Sequence, residues 1–187
     1  MIKKGSGEKA ILMLHGRGGD AENILTLAEN FKASCYGFSA PGNRWYPFPF
    51  NQKKEVNEPY LSKSLGVLHE KILELKKSHE EIYLLGFSQG ACLALEYASK
   101  NQVNGVIAFS GGLIGEDYEL EVKTRNDVFI GCSENDPFIP LDRAVKSAEL
   151  FKEKGGRVLT LFYPGDTHFI TDEEIKLANK IISGIDI

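Results

Sequence analysis

The chain has 187 residues, of which 42% are hydrophobic and 26% charged, and these values are typical of a globular protein with one domain. We therefore expect a single domain over residues 1–187. The 22 basic and 26 acidic residues give a net charge of −4, and no basic run is present, which argues against a nucleic-acid partner. No apolar run has the length of a membrane span or a signal-peptide core, and this predicts a cytoplasmic protein.

The first half of the chain begins with short apolar runs and continues into a helical pattern. Asp20 is placed to cap the first predicted helix, and a long aromatic-rich loop, expected to be ordered, precedes the second. In chain order the predicted elements are a strand at Ala10–Leu14, a helix at Ala21–Phe31, a strand at Cys35–Ser39, the loop Pro41–Pro59 and a helix over Leu61–Leu75.

The second half alternates strands and helices more regularly. Continuous apolar runs are typical of parallel strands buried on both faces, and the intervening apolar spacing is helical. The predicted elements are strands at Ile82–Gly86, Gly105–Phe109, Asp127–Gly131 and Val158–Tyr163, and helices over Ala91–Ala98, Leu141–Phe151 and Ile175–Ile185, the last after a Thr171/Glu174 capping box. This alternation predicts a doubly wound α/β sheet with right-handed crossovers.

Ser88 stands in Gly86-Phe87-Ser88-Gln89-Gly90, between a predicted strand and a predicted helix. A serine at such a turn is lifted above the carboxyl edge of the sheet, and the two glycines let the helix pack closely on the strand. The N-terminus of the helix directs free N–H groups to the same place. This context predicts a catalytic nucleophile rather than an ordinary glycine-rich turn.

A serine nucleophile needs a general base. His69 and His79 lie among charged residues on or just after a predicted helix, so we expect them to face solvent. His15 follows the first predicted strand and His168 follows the last. Because the order serine, acid, histidine is the one used by this type of fold, His168 is the predicted base.

The acid is expected in the loop after the fifth predicted strand, where two prolines follow Asp136 and stiffen the loop. Glu134 is the nearest competitor. Asp166 is a third option, although it lies two residues from His168 and is suited to capping the turn. Asp136 is the predicted acid.

An acyl-transfer site needs N–H donors for the developing oxyanion. The N–H of Gln89 comes with the turn at Ser88, and the second donor is expected from the glycine-rich loop after the first strand. We assign it to the N–H of Arg17, with Gly16 and Gly18 as alternatives. A phosphate-binding loop is the rival interpretation, but the segment lacks the Gly-Lys-Ser/Thr ending.

The three cysteines, Cys35, Cys92 and Cys132, have no metal-ligand spacing and are predicted to be buried free thiols, so no metal site is expected. A catalytic role for Cys132 is the minor alternative. Apolar side chains near the predicted site are candidates for the walls of a substrate cleft, although they could equally pack the loops onto the core. These candidates are Trp45, Tyr46, Phe48, Leu113, Ile114, Phe138 and Phe169.

Four segments, in order over most of the chain, resemble the phospholipase/carboxylesterase family, which includes the acyl-protein thioesterases. They are Leu14-His15-Gly16-Arg17-Gly18, Gly86-Phe87-Ser88-Gln89-Gly90, the Gly131–Pro140 loop and Gly165-Asp166-Thr167-His168. Arg17, where the family often has leucine, and the Pro41–Pro59 loop depart from the thioesterases.

The resemblance implies a minimal α/β-hydrolase fold with a mostly parallel, doubly wound, six-stranded sheet in the order second, first, third, fourth, fifth, sixth strand, and no large lid domain. It places Ser88, Asp136 and His168 in a catalytic triad, with Arg17 and Gln89 as oxyanion donors. It also implies that no cofactor is needed, and it allows a homodimer.

The sequence therefore predicts a serine hydrolase that cleaves small carboxylic esters or thioesters through an acyl-enzyme on Ser88. One alternative is a dienelactone-type or amide hydrolase that uses the same three residues. Another is a ligand sensor on the hydrolase fold that turns over its ligand slowly. The physiological substrate does not follow from the sequence.

Overall fold

Seven strands form one sheet in the computed structural model, which describes residues 1–184. Their order across the sheet is β1-β3-β2-β4-β5-β6-β7, and every neighbouring pair is parallel except β1 and β3, which are antiparallel. The strands are β1 (Ile2–Lys4), β2 (Ala10–Leu14), β3 (Ser34–Gly37), β4 (Ile82–Phe87), β5 (Gly105–Phe109), β6 (Val128–Ser133) and β7 (Val158–Tyr163).

Helices cover both faces of this sheet. The α-helices are α1 (Ala21–Ile24), α2 (Tyr60–Leu75), α3 (Gln89–Lys100), α4 (Leu141–Glu153) and α5 (Asp172–Ser183). Short 3₁₀ segments lie at Leu25–Asn30, Pro41–Asn43, Lys54–Asn57 and Asp117–Glu119. Buried side chains of α2, α3 and α4 pack on one face, and those of α1, the adjoining 3₁₀ segment and α5 pack on the other.

Alternation of side chains along each strand supplies both cores. In β2, Leu12 and Leu14 belong to the core under α2, α3 and α4, whereas Ile11 and Met13 belong to the core on the opposite face. All four side chains are fully buried. A strand covered on both faces must be apolar at every position, which is why its sequence is a continuous apolar run.

The α/β-hydrolase fold and the strand order implied by the resemblance are confirmed, and the described residues contain no large lid. The sheet, however, has seven strands rather than the expected six. The additional strand β1 is three residues long and lies at the sheet edge, and all three of its residues are exposed. Its sequence, Ile2-Lys3-Lys4, therefore has no apolar run that would predict it, and its lysines suit an exposed edge.

The predicted helix Ala21–Phe31 is α-helical only as far as Ile24 and then tightens into a 3₁₀ segment. The hydroxyl of Thr26 donates to the carbonyl of Asn23 (2.7 Å), and the side-chain amide of Asn30 donates to the carbonyl of Leu27 (3.1 Å). Such side-chain bonds to nearby carbonyls compete with the α-helical ladder. The cap at Asp20 is confirmed, and so is the Thr171/Glu174 capping box of α5. Ile185 lies outside the described residues.

Among the helices of residues 1–184, none combines the length and the apolar character that a membrane crossing would require.

Two glycines allow α3 to approach the sheet. A Cβ built on Gly90 would lie 2.2 Å from the carbonyl oxygen of Leu14 in β2, and one on Gly86 would lie 2.3 Å from the carbonyl oxygen of Gly90. Both contacts are with backbone atoms that cannot move aside without displacing a strand or the helix. The N-terminus of α3 is therefore held against the carboxyl ends of β2 and β4.

We expect Gly90→Ala to destabilise the protein by about 3 kcal/mol or more, because the added methyl group overlaps the backbone of β2. The matched control is Gly66→Ala in the exposed middle of α2, where a Cβ would meet nothing within 4 Å. That change should raise the melting temperature by about 2–4 °C, because glycine weakens a helix interior. Thermal and urea melts of both variants test the pair, and a Gly90→Ala protein as stable as the wild type would contradict this account of the packing.

Candidate active site

Ser88 occupies the turn between β4 and α3. Its backbone has φ 53° and ψ −119°, a conformation that is strained for a residue with a side chain. Its N–H donates to the carbonyl of Phe109 in the neighbouring strand (2.9 Å), which fixes the turn to the sheet. Ser88 lines a cavity that His168 also lines. Within residues 1–184 the hydroxyl has no hydrogen-bond partner, so it is free to turn toward a base or a substrate.

His168 and Asp136 meet at the same edge of the sheet. The Nδ1 atom of His168 lies 2.7 Å from Oδ2 of Asp136. The other carboxylate oxygen accepts from the N–H groups of Phe138 (2.9 Å) and Ile139 (3.0 Å). The carboxylate is 0% exposed, whereas the imidazole reaches the cavity that Ser88 lines. This arrangement orients the ring so that Nε2 is left for another partner.

Electrostatics keep the carboxylate ionised. Burial alone would raise the pKa of Asp136, but the bond from His168 and the two backbone N–H donors outweigh it and lower the pKa below its ordinary value. The predicted competitors Glu134 and Asp166 are both exposed. Among the described residues, Asp136 is the carboxylate paired with His168.

Hydrogen bonds join the loop that carries the carboxylate to the loop that carries the histidine. The N–H of Asn135 donates to the carbonyl of Gly165 (2.9 Å), and the Ser133 hydroxyl donates to the carbonyl of Thr167 (2.6 Å). The rings of Phe87 and Phe138 lie 4.9 Å and 4.8 Å from the His168 ring, measured between centroids. The imidazole is therefore positioned by its backbone and by two aromatic neighbours.

The glycine-rich loop after β2 lies beside Ser88. A Cβ built on Gly16 would lie 3.4 Å from the Cβ of Ser88. Within the part of the chain that the structure describes, the N–H of Arg17 has no acceptor, and the N–H of Gln89 is one of the unpaired donors at the start of α3. Two free backbone donors next to the serine are suited to an oxyanion.

The side chains of these two residues hold the loop that follows β3. Gln89 accepts from the N–H of Trp45 (2.9 Å) and donates to the carbonyl of Tyr46 (2.8 Å). The Nη2 atom of Arg17 donates to the carbonyls of Tyr46 and Pro47, both at 3.0 Å. Sequence reasoning gave Gln89 and Arg17 backbone roles alone, since hydrogen bonds to a distant irregular loop leave no pattern in the sequence.

His15 supports the same loop from beneath. Its Nε2 accepts from the N–H of Ala40 (3.0 Å), so its Nδ1 carries the hydrogen and donates to the carbonyl of Gly16 (2.7 Å). Burial lowers the pKa of His15, although its bond to Gly16 opposes the shift. Both ring nitrogens of His15 are therefore used to hold backbone groups of the two loops.

The cavity beside Ser88 has a volume of about 730 Å³. Half of its lining residues are phenylalanine, tyrosine or proline. The lining residues are Gly16, Arg17, Tyr46, Pro47, Phe48, Pro49, Phe50, Asn51, Phe87, Ser88, Gln89, Cys92, Pro137, Phe138, Ile139 and His168.

Three of the seven predicted wall residues, Tyr46, Phe48 and Phe138, line this cavity. Phe48 and Phe138 are 50% and 66% exposed, so they form the outer part of the wall. Phe169 is also exposed but does not line the cavity. Four further lining residues were not predicted from the sequence. They lie in the loop after β3 and the loop after β6: Pro47, Pro49, Phe50 and Pro137.

The remaining three predicted wall residues are buried in the core, and the structure does not place them in the cavity. Trp45 donates from its indole to the carbonyl of His15 (2.8 Å) and stacks near the His15 ring. Leu113 is fixed by a bond from its N–H to the hydroxyl of Ser147 (2.9 Å), and Ile114 is fully buried beside it. Packing against the core, rather than contact with substrate, accounts for these apolar side chains.

The three cysteines are buried free thiols, as predicted. Burial, with the nearby carboxylates of Asp136 and Glu174, raises the pKa of the Cys132 thiol to about 12. A thiol that stays protonated is a poor nucleophile, so the surroundings of Cys132 argue against a catalytic role for it. Across residues 1–184, no group of three or more histidine, cysteine or acidic side chains is suited to hold a metal ion.

Comparison with known proteins gives the same picture of the fold. A crystal structure of a phospholipase/carboxylesterase from Dyadobacter fermentans superposes with a TM-score of 0.88 at 36% identity, covering 97% of this chain and 95% of that one. Esterase EstD of Thermotoga maritima is 31% identical over 116 residues, or 57% of this chain and 28% of its own length. Acyl-protein thioesterase 1 of Gibberella zeae is 31% identical over 104 residues, or 51% of this chain and 44% of its own.

The chain thus spans less than half of the length of these two relatives, although it spans nearly all of the Dyadobacter protein. The sequence pattern of the phospholipase/carboxylesterase family matches residues 2–185, which include the strand, turn and loop residues described above. The chain therefore belongs to the phospholipase/carboxylesterase family and has the α/β-hydrolase fold.

Proposed function

We propose that this protein hydrolyses small carboxylic esters or thioesters through an acyl-enzyme on Ser88. The observation that carries the proposal is the convergence of Ser88, at its strained turn, with the His168–Asp136 pair on one cavity. Membership of the family, and relatives named esterase and acyl-protein thioesterase, support the reaction class.

In the proposed mechanism, the Ser88 hydroxyl attacks the carbonyl carbon while His168 accepts its proton. Asp136 keeps the imidazole oriented and stabilises its positive charge. The N–H groups of Arg17 and Gln89 bind the oxyanion of the tetrahedral intermediate. Collapse expels the alcohol or thiol with the proton from His168, and a water molecule activated by the same imidazole then releases the acid from Ser88.

Ser88→Ala should abolish turnover of p-nitrophenyl esters and labelling by a fluorophosphonate probe, because both need the serine oxygen. The fold should be kept, since an alanine fits wherever serine does, and thermal melts provide that control. Labelling that persists in the folded variant would assign the nucleophile to another residue.

Asp136→Asn should lower kcat by about three to four orders of magnitude, because the amide cannot stabilise the imidazolium. The lowered pKa of Asp136 also predicts a stability effect. Its ionised form stabilises the folded protein above the ordinary carboxyl range, and this contribution is lost as the pH falls through the folded-state pKa.

Urea melts of this variant and the wild type should therefore differ most near neutral pH and converge below about pH 4. A stability difference that grows on acidification would contradict the assigned direction of the shift.

The cavity walls suit a substrate with an apolar acyl or aryl group. Aromatic and proline side chains provide flat apolar surface at little cost in conformational entropy. The volume of about 730 Å³ is large enough for a small ester. Tyr46, Phe48 and Phe138 are the proposed contacts.

Phe48→Ala and Phe138→Ala should each raise KM for an aryl or medium-chain ester by about three- to tenfold, because each change removes apolar contact area. Turnover of the short acetyl ester should change less, since it does not reach the outer wall. Tyr118→Ala, which truncates an exposed aromatic residue outside the cavity lining, is the matched control. Equal effects on short and long esters would argue against this wall.

The two alternatives use the same site. A panel of lactones, amides and esters tests for dienelactone-type or amide hydrolysis. If the protein hydrolyses none of these compounds, the result would favour a ligand sensor. The cytoplasmic location, the homodimer and the single domain stay predictions.

A further inference from the structure

Arg17 is the one permanent charge among the described residues that line the cavity. No aspartate or glutamate side chain belongs to that lining, and the carboxylate of Asp136 is buried behind His168. The N-terminus of α3, a helix of 12 residues, lies at the same wall and adds partial positive charge. The permanent charge that lines this cavity is therefore positive, in a protein whose net charge is −4.

The guanidinium is fixed in place but has donors left over. Its Nη2 atom is bonded to the carbonyls of Tyr46 and Pro47. An arginine has five N–H hydrogens, so those on Nη1 and Nε are not used by these two bonds. Holding the loop after β3 thus uses only the Nη2 atom of Arg17. Its acceptors are uncharged carbonyls, so the positive charge of the guanidinium is not neutralised.

Two of the other four arginines of this protein are paired with carboxylates within residues 1–184. Arg143 pairs with Asp117 at 2.8 Å, and Arg157 pairs with Asp127. In the described part of the chain, Arg17 forms no ion pair with an aspartate or glutamate. Its side chain is exposed, so an anion can reach it. A fixed cation without a counter-ion, beside a nucleophile, is suited to bind an anionic group of the substrate.

We infer that the Arg17 side chain selects esters that carry a carboxylate, and that this carboxylate lies against the wall formed by Tyr46 and Pro47. The inference rests on the proposed ester hydrolysis at Ser88. It assigns two separate roles to one residue, because the backbone N–H of Arg17 contributes to the oxyanion site while its guanidinium binds the remote anion.

Two pairs of esters matched in size test the inference. The first pair is the mono-4-nitrophenyl ester of glutaric acid and 4-nitrophenyl valerate, which place the charge on the acyl side. The second is 4-carboxyphenyl acetate and its methyl ester, which place it on the leaving group. In at least one pair, kcat/KM should favour the carboxylate ester by about tenfold in the wild type.

Arg17→Met should abolish this preference, and Arg17→Lys should keep part of it. The ratio within a pair is the readout, because loosening of the wall affects both members. Raising the ionic strength from about 0.02 M to about 0.5 M should also reduce the ratio in the wild type. Arg44→Met is the matched control, since it removes one positive charge from the same loop region but outside the cavity lining.

No preference in either pair would overturn the inference, and so would a preference that survives in Arg17→Met or is lost equally in Arg44→Met. Calorimetric binding of the glutarate ester to Ser88→Ala, with and without Arg17→Met, reports recognition without turnover and should show a similar loss. If the neutral esters are hydrolysed in a Ser88-dependent way while the ratio stays at one, this inference alone fails. If no ester is hydrolysed through Ser88, the proposed function fails as well.

Discussion

The close approach of α3 to the ends of β2 and β4 is the constraint on which the site depends. Gly86 and Gly90 leave no room for a Cβ, so the first turn of α3 is held against backbone atoms of two strands. The chain must then reverse within one residue, and Ser88 takes a positive φ to do so. Packing energy spread along α3 and the sheet thus maintains a strained backbone at a single position, where it exposes the hydroxyl.

The two loops that carry the acid and the histidine are joined to each other by short hydrogen bonds, and the ring of Phe87, next to the turn, packs against His168. Asp136 and His168 come from loops after β6 and β7, and bonds such as that from Ser133 to Thr167 fix one loop against the other. Polar bonds are directional, so they define the angle of an imidazole more sharply than apolar contacts do. A site organised before substrate arrives needs little rearrangement during the reaction.

Features that depend on burial or chain order could be predicted from the sequence. Strands such as β2 were identified because both faces are covered, and the order of Ser88, Asp136 and His168 follows from the order of parallel strands. The exposed edge strand β1 is polar, so it gives no such signal.

Side-chain direction in irregular segments was less predictable. Trp45 and Phe48 lie three residues apart in one aromatic loop, yet the first packs under the loop and the second faces the cavity. Residues just after a strand pose the same problem: Leu113 is apolar and near the site in sequence, but its backbone is bonded to Ser147 in α4. Composition does not distinguish a core contact from a wall contact when periodicity is lost.

The two roles proposed for Arg17 would separate catalysis from selectivity within one residue. Any amino acid there except proline supplies the backbone N–H, so a leucine at this position would keep the proposed oxyanion donor. A leucine could not, however, bond the carbonyls of Tyr46 and Pro47, and it would leave the cavity without its fixed charge. The loop after β3 would keep its bonds to Gln89 and His15, but the carbonyl of Pro47 would lose its donor. The outer wall and the charge of the cavity should therefore change together when this one side chain changes, while the chemistry at Ser88 stays the same.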